Sequence, residues 1–164
     1  MYHYLLTIIA SSLPIIEARF GFAFGYKILD IPVYISLPLA FLGNLISIIA
    51  VTYLLYAIFD QEKDHWFHNK INKLIEMIKT RHQKRIESFA LISLILFIAV
   101  PLPFSGSYSG IIIGYLIGLP REKTLLAAAI GTIFSLTIVF FTIESVDVSS
   151  QFLLNFLKEF SLPN

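Results

Sequence analysis

The chain has 164 residues, 57% of them hydrophobic and 14% charged, with a mean hydropathy of +0.78 and a formal charge of +1. This balance excludes an ordinary soluble domain and carries no nucleic-acid signature; it predicts an integral membrane protein with one membrane domain, residues 1–164. The absence of cysteine excludes disulfides, thiolate metal sites and a cysteine nucleophile.

Tyr2 to Ile16 is apolar but shorter than the roughly 20 residues that cross a bilayer, and Phe20 to Leu29 is shorter still. Between them lie Ser11, Ser12, Pro14, Glu17 and Arg19, which read as the tip of a re-entrant helical hairpin. No cleavable targeting segment is expected, because the N-terminus lacks a basic start and runs into Glu17 and Arg19. Tyr34 to Phe59 is long enough to span, with Pro38 near its start and Gly43 and Asn44 inside it.

Asp60 to Glu87 carries Lys63, Lys70, Lys73, Lys79, Arg81, Lys84 and Arg85, so the positive-inside rule makes residues 60–87 a cytoplasmic connector. Phe67, Ile71, Leu74, Ile75 and Ile78 share one helical face of it, which predicts an amphipathic helix on the inner leaflet with Trp66 at headgroup level. Its His65, His68 and His82 fit a closed metal site poorly, and neither a metal nor another cofactor is expected.

The second half repeats the plan. Phe89 to Val100 is a short apolar run, Pro101 to Ser109 a break, Ile111 to Leu119 another short run, and Thr124 to Ile143 a span, followed by a tail, 144–164. Pro14, Gly21, Gly25 and Tyr26 recur 89 positions later as Pro103, Gly110, Gly114 and Tyr115, and Pro32 and Gly43 recur 88 later as Pro120 and Gly131. Proline and glycine decide where helices break. Pro14, Gly21, Gly25, Pro101, Pro103 and Gly114 are therefore the expected breaks of two repeats, 2–59 and 88–143.

A hairpin that enters and leaves on one side contributes no crossing, so each repeat crosses once and the two lie inverted. Arg121 and Lys123 then join the connector inside, placing nine of the twelve basic residues there. The tail with Glu144, Asp147 and Glu159 falls outside, as does the N-terminus, in a multi-pass protein of the cell membrane.

Charges at bilayer depth usually face a protein interior or a watery path, which makes Glu17 and Arg19 the first functional suspects. Glu17 so placed is a candidate proton carrier, and the Arg19 fork suits phosphate. The competing reading is an internal ion pair that holds the hairpin. The second tip supplies Ser105, Gly106, Ser107, Ser109 and Gly110, with half-helices expected to begin near Phe20 and near Tyr108 and to aim amide-rich ends at the midplane. An anionic headgroup is a natural guest between them. A serine nucleophile at Ser105 or Ser107 has no histidine near it in either repeat, and no enzyme is expected.

Leu13-Pro14-Ile15-Ile16-Glu17-Ala18-Arg19, then Phe41-Leu42-Gly43-Asn44, the basic connector, and Pro101-Leu102-Pro103 with Ser105-Gly106 and Ser109-Gly110 resemble, in that order, the small multidrug export protein family, related to the DedA/VTT membrane proteins. The resemblance runs from about Leu13 to Ile143. It implies opposed re-entrant hairpins and movement of a phospholipid or polyprenyl phosphate between leaflets, with protons as the coupling ion. Where the longer DedA proteins carry further acidic and arginine residues in the second half, this chain has Gly106 and Tyr108.

The expectation is an all-α transporter-like protein that translocates a phosphate-bearing lipid or related amphiphile. The alternatives are an assembly factor that deforms the bilayer or shelters other membrane helices, and an exporter of small soluble or drug-like molecules. Membrane lipids are the expected partners, and because two spans enclose little, so is a second copy of the chain in a homo-oligomer.

Overall fold

The computed structural model describes residues 2–13, 17–60, 87–101 and 106–161, and every regular element among them is a helix. Helix α1 is Tyr2–Ser12, α2 is Glu17–Ala23 and passes into a π-helical turn, Phe24–Ile28, and α3 is Val33–Asp60. Helix α4 is Glu87–Ala99, α5 is Ser107–Leu116 and α6 is Arg121–Ser161. Val33–Ile58 and Arg121–Gln151 are long and apolar enough to cross a membrane. The 11 residues of α1 rise roughly 16 Å, about half of a bilayer core.

The distribution of polarity is that of a membrane protein. Phe20, Tyr34 and Phe141 are 68%, 74% and 62% exposed, whereas Ser36, Asn44 and Thr124 are 0% exposed. A soluble fold of this size buries its phenylalanines and exposes its asparagines; here lipid is the outer solvent and polar groups find partners only inside.

Small residues set the packing. A Cβ on Gly21 would meet Ser11, and one on Gly25 would meet Thr7 and Ser36, so α1 and the α2 segment run antiparallel in close contact. In the second half a Cβ on Gly110 would meet Ile98, and one on Gly114 would meet Leu94 and Thr124. The spanning helices follow suit, with Gly43 against Ile8 and Ser11 and Gly131 against Ile95 and Ile98. Each partner in the first half thus has a counterpart 87 or 88 positions on in the second. Close approach of this kind is what small residues provide where lipid supplies no hydrophobic drive.

The step from an offset of 89 to one of 88 has a structural cause. Between Gly25 and Ile31 the first half has one residue more than the second has between Gly114 and Leu119. The backbone N–H of Ile31 closes on the Gly25 carbonyl, six residues back, while that of Leu119 closes on Gly114, five back. A π-helical turn is how a helix absorbs one inserted residue, and Phe24–Ile28 is that turn. Both segments then leave through a left-handed residue, Asp30 at φ 52° and Gly118 at φ 75°.

Two apolar clusters follow the same plan. One joins Ile98, Ile111 and Ala128 with Ile48 of α3, and the other joins Phe22 and Ala40 with Leu136 of α6. Each half's spanning helix contributes a side chain to the other half's core.

Three expectations change. Glu17 and Arg19 lie in the first turn of α2 rather than on a loop ahead of it, because the helix begins at Glu17 and not near Phe20. Gly21 and Gly114 sit inside α2 and α5 and do not break them; they admit the neighbouring helix, and Gly25 lies in the π turn. Residues 144–161 of the expected tail continue α6, since no proline or glycine follows Gly131 until Pro163. Helix α4 stops at Ala99, ahead of Pro101, while Pro14, Pro103 and connector residues 61–86 lie outside the described residues.

Candidate functional site

The start of α5 faces the start of α2. An α-helix begins with backbone N–H groups that have no intrahelical acceptor, and the residue ahead of it ordinarily supplies a side-chain oxygen. Here that residue is Gly106, which has none. The missing acceptor comes from 89 positions earlier: the Glu17 carboxylate accepts the backbone N–H groups of Ser107 and Tyr108. It packs so close to Gly106 that any Cβ there would overlap it. A carboxylate at the positive end of a helix is favourably placed.

Arg19 performs the converse task. The last carbonyls of α4 lack intrahelical donors, and Arg19 Nη2 donates to the Ile98 carbonyl at 2.8 Å. The two charges of one tip thereby cap both helix ends flanking the break in the other half. Glu17 holds φ 54° to do so, a left-handed conformation costing on the order of 1–3 kcal/mol in a residue with a Cβ. Both side chains remain half-buried.

Tyr108, 89 positions after Arg19, reaches the opposite way. Its hydroxyl proton is shared between Ser47 Oγ at 2.7 Å and the Ser12 carbonyl, at the end of α1, at 3.3 Å. Each half thus ties off the first short helix of the other.

Below the tips lies a closed polar triangle. Asn44 Nδ2 donates to Ser107 Oγ at 3.1 Å and to Thr132 Oγ1 at 3.2 Å, the two hydroxyls are 2.9 Å apart, and Thr132 donates to the Ala128 carbonyl at 2.8 Å. Asn44 and Thr132 are 88 positions apart and touch, as do Glu17 and Gly106, which are 89 apart. The Asn44 carbonyl oxygen is buried without a hydrogen-bond partner, and so is Ser135 Oγ one turn beyond Thr132.

Glu17, Arg19, Gly106 and Ser107 therefore come together. Ser109 is half-buried and Gly110 packs on Ile98, so neither joins them, and Ser105 lies outside the described residues. Asn44 and Thr132 belong to the site without having been singled out for it; the one signal was an amide in mid-span with a hydroxyl residue 88 positions later. No metal-holding cluster of His, Asp or Glu occurs among the described residues, and His65, His68 and His82 are not among them.

The α2 end of the fold is latched to α6 by contacts the apolar periodicity does not reveal. Tyr26 donates its hydroxyl to Glu144 Oε1 at 2.5 Å and Lys27 pairs with Asp147, beside the ring cluster of Phe22, Tyr26 and Phe140. At the other end, Tyr56 and Tyr115 meet edge to face at 5.0 Å, and Tyr56 donates to the Leu119 carbonyl.

Residues 17–138 match a protein family described as "putative small multi-drug export protein". The wider kinship with the DedA/VTT proteins, expected from the order of motifs, is not part of that match. No curated protein and no solved structure matches the chain.

Proposed function

The chain belongs to the small multi-drug export protein family, and from that premise we propose that it exports small amphiphilic molecules, which cross the membrane where the two hairpin tips meet. The observation that carries this reading is the contact of equivalent residues, Glu17 with Gly106 and Asn44 with Thr132. Equivalent positions of two repeats touch only near the axis that relates them. In inverted-repeat transporters, substrate sites lie at the repeat interface near the bilayer midplane, between the ends of broken helices. We take the two halves to be inverted re-entrant units on that ground, with the basic connector inside and both termini outside.

The family name speaks for small-molecule export over lipid translocation. The geometry leans the same way. A phosphate headgroup seeking the start of α5 meets the Glu17 carboxylate already there, and the Arg19 fork is turned to Ile98. An assembly factor needs no such polar centre, since mismatch alone deforms lipid.

The test is flux from liposomes containing only the purified protein, loaded with a small fluorescent amphiphile and carrying a fluorescent phospholipid in one leaflet. Dye export at least about tenfold over empty liposomes is expected, reduced in Glu17→Gln, with the phospholipid left in place. Phospholipid exchange without dye export would restore the lipid reading, and movement of neither by folded protein would favour the assembly factor. A pH gradient applied in the same vesicles reads whether protons are coupled.

A further inference from the structure

At the polar centre one buried amide oxygen is left without a donor. Several donors there already have partners within the chain: Ser107 and Tyr108 N–H on Glu17, Arg19 Nη2 on Ile98, both Asn44 amide protons on Ser107 and Thr132, the Thr132 hydroxyl on Ala128, and the Tyr108 hydroxyl on Ser47 and Ser12. Among the described residues, Asn44 Oδ1 is fully buried and has no hydrogen-bond partner. A carboxylate offers about four acceptor positions, and two backbone N–H groups occupy only part of the Glu17 set.

A buried acceptor without a donor costs about 1–3 kcal/mol, and more where no water reaches it. A buried group left unpaired in a native structure calls for an explanation, and a guest that completes it is one. The Thr132 hydroxyl proton is used on the Ala128 carbonyl, so Thr132 Oγ1 can only accept from Asn44, and this keeps the amide nitrogen rather than the oxygen on that side.

We propose that Asn44, together with Glu17, forms the binding site for the polar head of the exported molecule, and that this head is a protonated primary amine on an apolar body. Asn44 Oδ1 and the Glu17 carboxylate accept its N–H groups, and the carboxylate balances its charge. The two acceptors are joined through Ser107, whose hydroxyl contacts Asn44 and whose N–H meets Glu17. Glu17 is half-buried and Asn44 fully enclosed, so the head meets Glu17 first and Asn44 lies deeper in the site. An anion is disfavoured for the same reason a donor is welcome. This substrate class rests on the export reading above.

The test compares three probes with one ring system on the protein in phosphatidylcholine nanodiscs, read by naphthalene fluorescence. They are naphthylethylammonium, its N,N,N-trimethyl analogue and naphthyl phosphate. The first two carry the same charge, and the trimethyl head is bulkier and has no N–H donor, so the loss of their difference in Asn44→Leu is what assigns it to the Asn44 acceptor. The ammonium probe is expected to bind about tenfold or more tighter than the trimethyl probe, with the phosphate weakest. Asn44→Leu is expected to remove the difference between the two cations. Equal binding of the two cations by the parent, or tighter binding of the phosphate, overturns the proposal with no variant needed, so a misfolded Asn44→Leu cannot obscure the answer.

Phosphatidylethanolamine added to the nanodiscs distinguishes two sources of the same head: displacement of the probe assigns the amine to a lipid, and no displacement assigns it to a free amphiphile. Dye export that persists without amine preference overturns this inference alone. Failure of all export in the liposome assay removes the export reading itself.

Discussion

Arg19→Ala is expected to lower the stability of the folded protein by about 2–3 kcal/mol, because it removes two supports at once. The Ile98 carbonyl at the end of α4 loses the donor 2.8 Å away, and Glu17 loses the positive charge that accompanies it at the tips. Both residues are half-buried, which keeps the figure below that of a fully buried pair broken by removing one member. Glu17→Gln leaves a carbonyl oxygen to accept from Ser107 or Tyr108 and is the milder change. Placed on top of Arg19→Ala, it should recover part of the loss, since the stranded charge is gone. Reversible unfolding of the parent, the two single variants and the double variant in mixed detergent micelles measures this as a cycle. A loss under about 0.5 kcal/mol in Arg19→Ala, the range of an ordinary surface substitution, would remove the capping role.

Gly43→Ala is expected to cost about 1–3 kcal/mol although it adds one methyl group. The new Cβ would run into the Ile8 backbone carbonyl and come within 3.0 Å of Ser11 Cβ. A carbonyl in the middle of α1 cannot turn aside as a side chain does, so α1 must move away from α3. Between helices in lipid, close packing is the main source of association, and a lost contact is not replaced by hydrophobic burial. The adjacent Leu42, 49% exposed, is the control: Leu42→Ala faces outward and should stay within about 0.5 kcal/mol. The comparison uses the same unfolding titration, and equal losses in the two variants would mean that Gly43 does not set the α1–α3 distance.

Much of this fold was legible in the apolar run lengths. Two long runs became α3 and α6, four short runs became α1, α2 with its π turn, α4 and α5, and the recurring glycines located where the helices approach. What a run length cannot express is which end of which helix a charge will serve. Glu17 and Arg19 are two residues apart, yet their partners are Ser107, Tyr108 and Ile98, fixed by how the halves dock. Glycine was ambiguous for a related reason. The lack of a side chain permits both a break and a close approach, and the sequence around Gly21 and Gly114 does not distinguish them. The π turn was present as the change of offset from 89 to 88 but had no meaning until the inserted residue was located. The Lys27–Asp147 and Tyr26–Glu144 contacts join residues about 120 positions apart, and no local pattern announces them.

The tip-to-tip pathway requires that the two halves enter the membrane from opposite faces. Tyr34 and Glu122 are equivalent positions, 88 apart, in the first turns of α3 and α6; Tyr34 is 74% exposed and the Glu122 side chain 70%. The chain has no cysteine, so Tyr34→Cys and Glu122→Cys each introduce a single label site. In intact cells treated with a membrane-impermeant maleimide, the Tyr34→Cys protein should label from outside, and the Glu122→Cys protein should label only after the membrane is opened. Labelling of both from the same face would contradict the opposed hairpins and, with them, a substrate path between Glu17 and Ser107.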